Sequence, residues 1–293
     1  MKIHFFLNER VHAEQNPIFA RAMQILEGRG FAVTSWIAEE QLCAADDFPV
    51  DNDLYVLKSQ TELSLSLAGI LHGRGAHILN PYPACAALQN KIVAANRLAV
   101  AGVPLPRSWV TGDMRLLREL ASRMPLILKP YRGHRGAGIR VVQGPQDLAD
   151  MAAPALPMLV QEFIPNAGDD LKLYVVGGEV FGVRKVFSEK SFTGYGAPCE
   201  VSLELRDIAL RCGDVFGLGL YGLDIVEGPH GPVVVDLNYS PGLRGVPDAA
   251  PVIARYIEDY ACGRRTLPVD LEPLGPRRTP QPPQLPFAER AAA

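Results

Sequence analysis

The segment from residue 232 to residue 242 constrains this chain more than any other. An apolar run over residues 232–235 leads to Asp236, and Asn238 follows two positions later, before a Ser-Pro-Gly turn. Strand side chains alternate between the two faces of a sheet, so the carboxylate and the carboxamide share one face. Their oxygens predict a site for a hard cation such as Mg²⁺. The alternative is that Asp236 and Asn238 merely close a strand into a turn.

A second carboxylate precedes this strand. Residues 220–226 have the composition of another strand, and residues 227–231 have that of a hairpin turn. If the two strands pair about this turn, Asp224 lies opposite Asp236, because the two are symmetric about residue 230. Two carboxylates placed directly opposite one another are destabilising unless a cation lies between them. The pair therefore favours the metal interpretation, with Asp224, Asp236 and Asn238 as ligands.

Composition and charge exclude several classes of protein. The chain has 293 residues and a net charge of −3, and its basic residues form no stripe interleaved with aromatics, so nucleic acid is not an expected partner. The apolar run at the N-terminus is too short for a typical signal peptide and predicts a buried strand instead, and no apolar run approaches the length that a membrane helix needs. The five widely spaced cysteines include no Cys-x-x-Cys pair, which indicates reduced thiols. We therefore expect a cytoplasmic protein without a membrane partner.

The pattern of strand and helix signals divides the chain into four parts. Residues 1–85 alternate strands and helices, which predicts an open α/β unit with a mostly parallel sheet. Residues 86–165 carry a glycine-rich loop, and residues 166–265 carry the carboxylates. Residues 266–293 are rich in proline and predict an extended or disordered tail. The strongest helix signal covers residues 86–101 and ends at Gly102.

The glycine-rich loop is the second chemical signal. A strand over residues 126–129 ends at Lys129, and three glycines precede the next strand, namely Gly133, Gly136 and Gly138. Glycines let backbone amides approach phosphate oxygens closely. The loop joins two strands and lacks Gly-Lys-Ser/Thr, so it is neither a dinucleotide fingerprint nor a Walker loop. We expect a flap over phosphates, with Lys129 reaching them; His134 at the tip contacts the γ-phosphate or the substrate, or is solvated.

Together these motifs resemble those of the ATP-grasp superfamily. The loop reads Lys-Pro-x-x-Gly-x-x-Gly-x-Gly and is followed far downstream by Asp-x-Asn-x-x-Pro-Gly. The pattern is most similar to the branch that contains ribosomal-protein glutamate ligases, lysine-biosynthesis ligases and glutathione synthetase. The resemblance implies an α/β (α+β) ATP-grasp fold with ATP between two antiparallel sheets. It also implies a pre-grasp domain at 1–85, a small lid domain at 86–165 and a larger catalytic domain at 166–265.

The resemblance also implies roles for individual residues. It assigns the phosphates to Lys91 and Lys129, backbone contacts with adenine to Gln161 and Ile164, and the ribose to Glu162 or Asp169. It assigns the metal to Asp224, Asp236 and Asn238, with Asp where related ligases often have Glu. Members of the family often carry an arginine that binds the acyl phosphate. Two cationic residues of this chain, Arg184 and Lys185, are candidates for that role, and they point to opposite faces of a strand. We predict that Arg184 is the catalytic one. The small polar pair usual in the ligase loop is replaced here by His134 and Arg135.

The implied activity is an ADP-forming carboxylate–amine ligase that acts through an acyl phosphate. Its cofactors are ATP and Mg²⁺, with Mn²⁺ as an alternative, and its substrates are a small carboxylate and an amine, or a peptide. One rival is a kinase of the same fold that phosphorylates a small polyol or an inositol-phosphate-like acceptor. The other is a nucleotide-binding module without catalysis, whose Pro-rich tail binds a partner. The sequence leaves the acceptor open, and whether the chain forms a homo-oligomer.

Overall fold

The computed structural model describes residues 1–8, 17–133, 137–149, 151, 154, 156–165, 169–186 and 196–275. These residues form three sheets. The first sheet is parallel throughout, as its alternating strand and helix signals predicted, with strand order β2-β1-β3-β4. Its strands are β1 (Lys2–Leu7), β2 (Ala32–Ile37), β3 (Leu54–Leu57) and β4 (Ile78–Leu79), and the helices α1 (Pro17–Gly28) and α2 (Glu62–Gly73) accompany them.

The helix predicted over residues 86–101 is wrong in its extent, because two helices occupy this region. They are α3 (Tyr82–Gln89) and α4 (Lys91–Val100). Asn90 between them is extended, and its side chain accepts hydrogen bonds from the backbone N–H groups of Ile92 and Val93. A side chain that satisfies the first N–H groups of a helix starts a new one. Lys91 therefore lies on the first turn of α4 rather than in the middle of a long helix.

The second sheet is antiparallel and has its own small core. Its strands are β5 (Ser108–Thr111), β6 (Leu126–Pro130), β7 (Arg140–Val142) and β8 (Met158–Glu162), in the order β5-β8-β6-β7. Short helical turns at Met114–Leu117, α5 (Arg118–Ala121) and Pro145–Leu148 cover one face. That face buries Leu126, Leu128 and Val160. Because strand side chains alternate, Lys129 and Gln161 lie on the other face.

The third sheet is also antiparallel, with strand order β11-β10-β9-β12-β13. Its strands are β9 (Asp169–Val176), β10 (Glu179–Val186), β11 (Ala197–Cys199), β12 (Leu220–Gly228) and β13 (Gly231–Asn238). The helices α6 (Leu203–Phe216) and α7 (Ala249–Ala261) pack beside it. Ser202 caps α6 through its side chain, and Gly217 ends this helix with a left-handed conformation.

The first and third sheets share hydrophobic cores. One core joins Phe5 and Phe19 to Ile253 and Ile257 of α7, and the other joins Phe6 and Leu57 to Leu171 and Leu223. The buried Asn80 links the two sheets through its amide group. It donates to the carbonyl oxygens of Leu220 and Tyr239 and accepts from the N–H groups of Gly219 and Leu220. Such a fully satisfied buried amide fixes the relative position of the strand ends.

The described start of the Pro-rich segment contains no helix or strand, and a few of its residues contact the rest of the chain. Leu267 and Leu271 pack against the two shared cores, and the carbonyl oxygen of Glu272 accepts a hydrogen bond from Arg97. Residues 276–293 lie outside the described residues. Every cysteine is a free thiol, as expected. None of the helices in the described part of the chain is both long enough and apolar enough to cross a membrane.

Candidate functional site

A strongly polar cleft of about 300 Å³ lies on one face of the third sheet. Its walls come from the ends of β1 and β3, the α3–α4 junction, strands β9, β10, β12 and β13, and the loop after β13. The polar side chains that line it are Asn8, Lys58, Gln60, Gln89, Lys91, Lys172, Tyr174, Lys185, Asp224, Asp236, Asn238, Tyr239, Ser240 and Arg244. The cleft therefore collects charged groups from all along the chain.

The register of the β12–β13 hairpin confirms that Asp224 and Asp236 lie opposite one another. The two-residue turn alone would not produce this pairing, because Gly228 pairs with Gly231 and Ile225 with Val234. Continued without interruption, that register would place Asp224 opposite Val235. A β-bulge at Val235 shifts the register by one residue, so that Asp236 takes this place. The bulge therefore brings both carboxylates and Asn238 to one face.

Each carboxylate is held by a lysine from a different element. Lys91 Nζ lies 2.9 Å from Asp236 Oδ1, and Lys172 Nζ lies 2.5 Å from Asp224 Oδ1. Burial lowers the pKa of Lys172, but the charge of Asp224 and the hydrogen bond to it outweigh this and raise the pKa above its ordinary value. The two opposed aspartates are thus neutralised by ammonium groups, where the sequence predicted a metal cation.

Asn238 lies on the same face, and its side-chain oxygen is already engaged. Asn238 Oδ1 accepts from Gln60 Nε2 at 2.6 Å and from the backbone N–H of Ser240 at 2.7 Å. These two donors fix the amide orientation and point its oxygen toward the cleft wall. Gln60 is in turn the residue before Thr61, which caps α2. The position of Asn238 is therefore determined by a segment of the first sheet.

The donor chemistry of this face fits Mg²⁺. The carboxylate oxygens of Asp224 and Asp236 and the amide oxygen of Asn238 are ligands of the kind that Mg²⁺ prefers. Within the described ranges, no group of three His, Cys, Asp or Glu side chains is arranged to hold a metal ion. The protein would therefore supply two carboxylates and one amide, and Mg²⁺ commonly completes its shell with water and phosphate oxygens.

A largely apolar slot adjoins the cleft between the second sheet and β13. Its lining combines Leu88, Ala94, Leu98, Leu105, Leu159, Val234 and Leu237 with the polar groups Lys91, Lys129, Gln161 and Asp236. Gln161 Nε2 donates to Ser108 Oγ, whereas Gln161 Oε1 is buried and has no hydrogen-bond partner among the described residues. A buried acceptor without a partner is costly, and a flat base with an exocyclic amino group would satisfy it.

Lys129 enters the same slot from β6. Its side chain is buried, and its ammonium donates to the carbonyl oxygen of Val235 at 2.9 Å. Burial lowers the pKa of Lys129, and the negative charge of Asp236 counters part of this effect. The backbone N–H of Lys91 donates to the carbonyl oxygen of Tyr131, just beyond β6. The two lysines predicted to bind phosphate are therefore brought together beside Asp236.

The glycine-rich loop is described in part. Gly133 lines the cleft, as a phosphate-binding loop requires. Gly138 has a φ of +75°, and a Cβ atom there would lie 2.8 Å from the Pro130 ring, so glycine is needed for both reasons. His134 and Gly136 lie outside the described residues, and so do Arg135 and any contact that these residues make.

The residues predicted to read the base and ribose are dispersed. Gln161 reaches the slot with its side chain rather than with the predicted backbone groups, because β8 is hydrogen-bonded to β5 and β6 on both sides. Glu162 points away from the slot and forms an ion pair with Arg107 at 2.7 Å. Ile164 lies against Gly228 at the hairpin turn. Asp169 begins β9, and its side chain is outside the described part of the chain.

The structure places Arg184 and Lys185 on opposite faces, as predicted, but with the other residue in the cleft. Lys185 lines the cleft. Val183 pairs with Lys172 across the strands, and Lys185 lies two residues after Val183, so Lys185 and Lys172 share one face of the sheet. Arg184 lies on the opposite face, where it forms an ion pair with Glu227 at 2.6 Å and lowers the pKa of that carboxyl. The choice of Arg184 as the group inside the cleft is therefore corrected to Lys185.

Four further side chains line the cleft and belong to neither of the two motifs, namely Lys58, Lys172, Tyr174 and Arg244. Strand periodicity could have grouped Lys172 with Tyr174, because they lie two residues apart in β9 and therefore share one face of the sheet. Lys58 could not have been found, because its partners are the carbonyl oxygens of Ser240 and Pro241, far along the chain.

Comparison with known proteins places this geometry in a family. A family model described as the RimK-like ATP-grasp domain matches residues 88–257, more than half of the chain. A probable alpha-L-glutamate ligase of Thioalkalivibrio sulfidiphilus (strain HL-EbGR7) is 31% identical over 216 residues, which cover 66% of this chain and 70% of that ligase. One from Stutzerimonas stutzeri (strain A1501) is 32% identical over 209 residues, which cover 63% and 68%.

Solved structures share the fold. A RimK domain ATP-grasp protein from Sphaerobacter thermophilus DSM 20745 has a TM-score of 0.71 and 22% identity, with 88% of this chain and 100% of that chain covered. The ATP-grasp ligase PsnB, complexed with a minimal precursor, has a TM-score of 0.66 and 22% identity, with 88% and 98% covered. The fold, the cleft and the family match agree, and the chain belongs to the RimK-like ATP-grasp family of ATP-dependent ligases.

Proposed function

We propose that the chain uses Mg²⁺ and ATP to join a carboxylate substrate to an amine through an acyl-phosphate intermediate. The observation that carries the proposal is the Asp224–Asp236 pair, which faces the cleft with Lys91 and Lys172 against it. Such a set neutralises the charge that develops on a transferring phosphoryl group, where catalysis is mostly positioning and electrostatics. The proposal also includes the roles given below to the site residues and a cytoplasmic location. It further includes domain boundaries at 85/86, 165/166 and 265/266.

In the first half-reaction, an oxygen of the substrate carboxylate attacks the γ-phosphorus of ATP, and ADP leaves. The base lies in the apolar slot with Gln161 Oε1 accepting from an amino group, and Lys129 and Lys91 hold phosphate oxygens. Asp224, Asp236 and Asn238 would hold Mg²⁺, which supplies charge neutralisation to the β- and γ-phosphates when bound. Lys172 and Lys185 lie further along the face and orient the attacking carboxylate.

In the second half-reaction, the amine nitrogen attacks the acyl carbon, inorganic phosphate leaves, and the nitrogen loses a proton. No protein nucleophile is needed, because the acyl phosphate is already activated. The residues of the cleft hold the intermediate away from water, which would otherwise hydrolyse it. Gly133, which lines the cleft, is the described residue of the glycine-rich loop that we expect to approach the phosphates at this stage.

The substrates are proposed from the names of the relatives and of the structurally similar proteins. Its relatives are named as alpha-L-glutamate ligases, and neighbouring structures include a ligase with a precursor peptide and a D-cycloserine synthetase. Amino acids and peptides are therefore the first acids and amines to test. The kinase alternative lacks a comparable relative among these, and the choice between kinase and ligase can be made from the products alone.

The test is an ADP-release screen of acids and amines with Mg–ATP, followed by mass spectrometry of the products. Ligation predicts that ADP, phosphate and an amide form together, and only when an acid and an amine are both present. Release of ADP with a polyol phosphate alone, and a phosphorylated product, would make the chain a kinase. Asp236→Asn should abolish turnover, whereas Asp207→Asn, which also breaks an exposed ion pair, serves as the matched control.

A further inference from the structure

Tyr174 is a buried residue of the cleft whose hydroxyl group has no hydrogen-bond partner among the described residues. The residue lines the cleft, and only 6% of it is exposed, but its hydroxyl oxygen is not sealed from the cleft. Tyr239, which also lines the cleft, places its hydroxyl 3.4 Å from Gln89 Oε1. A buried tyrosine hydroxyl usually has a partner, because an unpaired one is costly. The hydroxyl of Tyr174 is therefore available to a ligand of the cleft.

The strand register places Tyr174 beside the carboxylate pair. Tyr174 pairs with Gly222 of β12, and Gly222 pairs with Asn238 of β13, so these three residues form one row across the floor of the cleft. The next row on the same face consists of paired residues from the same three strands, namely Lys172, Asp224 and Asp236. Tyr174 is therefore adjacent to the groups that would hold the metal and the phosphates.

A glycine makes room for the Tyr174 ring on the floor of the cleft. A Cβ atom at Gly222 would lie 3.1 Å from Tyr174 Cδ1 and 3.0 Å from Pro241 Cβ. Both distances are shorter than ordinary van der Waals contacts, so the ring and the proline occupy the space that another side chain would need. Pro241 is fixed in turn, because its carbonyl oxygen accepts a hydrogen bond from the buried Lys58 at 2.7 Å. The ring therefore has the rigid surroundings that a group acting on a transition state requires.

The hydroxyl of Tyr174 is a neutral hydrogen-bond donor. A phenol with an ordinary pKa of about 10 is protonated at neutral pH. Burial raises the pKa of Tyr174 further, the positive charge of Lys172 counters part of this effect, and the negative charge of Asp224 adds to it. Hydrogen bonds from such a donor become stronger when the acceptor oxygen gains negative charge. Tyr174 therefore suits an oxygen that becomes charged during the reaction.

We propose that Tyr174 is a further catalytic residue, whose hydroxyl donates a hydrogen bond to the acyl oxygen when the amine attacks. The proposal rests on the proposed function and assigns a residue to its second half-reaction. The amine nitrogen bonds to the acyl carbon, and the electron pair of the carbonyl double bond moves to the oxygen, where Tyr174 stabilises the charge. The bond from this carbon to the phosphate oxygen then breaks, and the departing phosphate takes the proton that the nitrogen loses. Tyr174 keeps its own proton throughout.

The cationic neighbours of Tyr174 suit a different stage of the reaction. An ammonium group binds a carboxylate or a phosphate in the ground state, where the negative charge is already present, and Lys172 is also engaged with Asp224. A neutral hydroxyl gains most of its interaction energy only when the carbonyl oxygen becomes an oxyanion. Interactions that are stronger in the transition state than in the ground state increase the rate. This difference assigns the acyl oxygen to Tyr174 rather than to a lysine.

Isotope exchange in the full chain separates the two half-reactions. When the β,γ-bridging oxygen of ATP carries a heavy isotope, reversible formation of the acyl phosphate moves the label to a non-bridging position without any amine. With the acid that the ADP-release screen identifies, we expect Tyr174→Phe to exchange the label at the wild-type rate. With the amine added, it should form the amide about a hundredfold more slowly, as loss of one oxyanion donor does. Tyr82→Phe, on α3 and outside the residues that line the cleft, is the matched control.

Binding and stability provide readouts that do not depend on turnover. Calorimetry with Mg–ADP compares the same acid with its phosphonate analogue, in which a tetrahedral phosphorus replaces the acyl carbon. Tyr174→Phe should weaken binding of the phosphonate about tenfold or more, as loss of a charged hydrogen bond does, and should leave binding of the acid unchanged. The unfolding free energy in urea should not fall, because the hydroxyl loses no partner within the chain. A purely structural role predicts such a fall and no selective loss for the phosphonate.

The outcomes distinguish this role from the proposed function. Amide formation by Tyr174→Phe at the wild-type rate would overturn the role of Tyr174 and leave the ligase proposal intact. Equal losses of isotope exchange and amide formation would place the hydroxyl in phosphoryl transfer and would also overturn its role at the acyl oxygen. Failure of every acid–amine pair to release ADP would instead reject the proposed function itself.

Discussion

Lys129 Nζ lies 2.9 Å from the carbonyl oxygen of Val235, and Val235 is the bulged residue of the β12–β13 hairpin. The register leaves Val235 without a partner on β12, so its carbonyl can accept from a lysine of the second sheet. The same bulge sets Asp236 opposite Asp224. One irregular residue thus links the two sheets across the slot and also aligns the carboxylates.

Lys129→Met should weaken ATP binding without unfolding the protein. The substitution removes an ammonium from the slot beside Asp236 but keeps the length of the side chain. Loss of a charged hydrogen bond costs about 1.5–3 kcal/mol, so the KM for ATP should rise roughly tenfold to a hundredfold. Steady-state kinetics measure this, with Lys2→Met as the control on an exposed lysine. An unchanged KM for ATP would remove Lys129 from the nucleotide site.

Gln161→Met should separate stability from nucleotide recognition. It removes a buried oxygen that has no partner among the described residues, so the chain without nucleotide should gain about 1 kcal/mol of unfolding free energy. It should also reduce the discrimination between ATP and GTP, because the acceptor for the amino group of adenine is lost. Urea denaturation and competition binding measure the two effects, with the exposed Gln41→Met as the control. A loss of stability together with retained discrimination would contradict this reading of the slot.

The pair Lys185→Met and Arg184→Met tests which face of β10 is catalytic. Lys185 lines the cleft, whereas Arg184 pairs with Glu227 on the other face. We expect Lys185→Met to lower kcat/KM for the carboxylate by about tenfold or more, as loss of a charged contact does. Arg184→Met breaks a partly exposed ion pair and should cost at most about 1 kcal/mol of stability. If Arg184→Met reduced ADP release more than Lys185→Met did, Arg184 rather than Lys185 would be the catalytic residue of β10.

Lys58 should make stability depend on pH. Burial lowers the pKa of Lys58 to about 7 in the folded chain, with a further contribution from Arg244. Between about pH 7 and the ordinary lysine pKa of about 10.4, the unfolded chain therefore binds more protons than the folded one, and the linkage makes stability rise with pH. The unfolding free energy of the wild type should increase relative to that of Lys58→Met over this range.

Denaturation of both proteins at pH 6, 8 and 10 measures the difference. Below about pH 7, Lys58 is protonated in both the folded and the unfolded chain. The difference in unfolding free energy between the wild type and Lys58→Met should therefore not change with pH there. A difference that falls between pH 8 and pH 10 would have the wrong sign for a buried lysine. Such a result would show that the three hydrogen bonds to Ser240 and Pro241 hold the ammonium in its charged form.

Local patterns were sufficient for much of this molecule. The alternation of side chains along β13 placed Asp236 and Asn238 on one face, and the composition of the turn identified the β12–β13 hairpin, whereas the position of Asp224 opposite Asp236 also required the bulge at Val235. Lys129 and its glycines were found from the same kind of short-range pattern. These features depend on neighbours in sequence, and strand periodicity acts over a few residues.

Other features were decided by contacts between distant segments. Asn90 breaks a helix signal that periodicity alone read as continuous, and it thereby sets Lys91 against Asp236. Arg184 and Lys185 are adjacent and both cationic, so only the packing of β10 could tell which faces the cleft.

The sequence by itself determined the family, the two strands that carry the carboxylates and the glycine-rich loop, because each is encoded in consecutive or alternating residues. Only the tertiary structure decided what neutralises those carboxylates and what surrounds the substrate. Lys58 follows β3, Lys172 lies in β9 and Arg244 lies in the loop after β13, and folding alone brings them to one cleft. A charge has a functional meaning only through its neighbours in space, and for these residues those neighbours are far away in sequence.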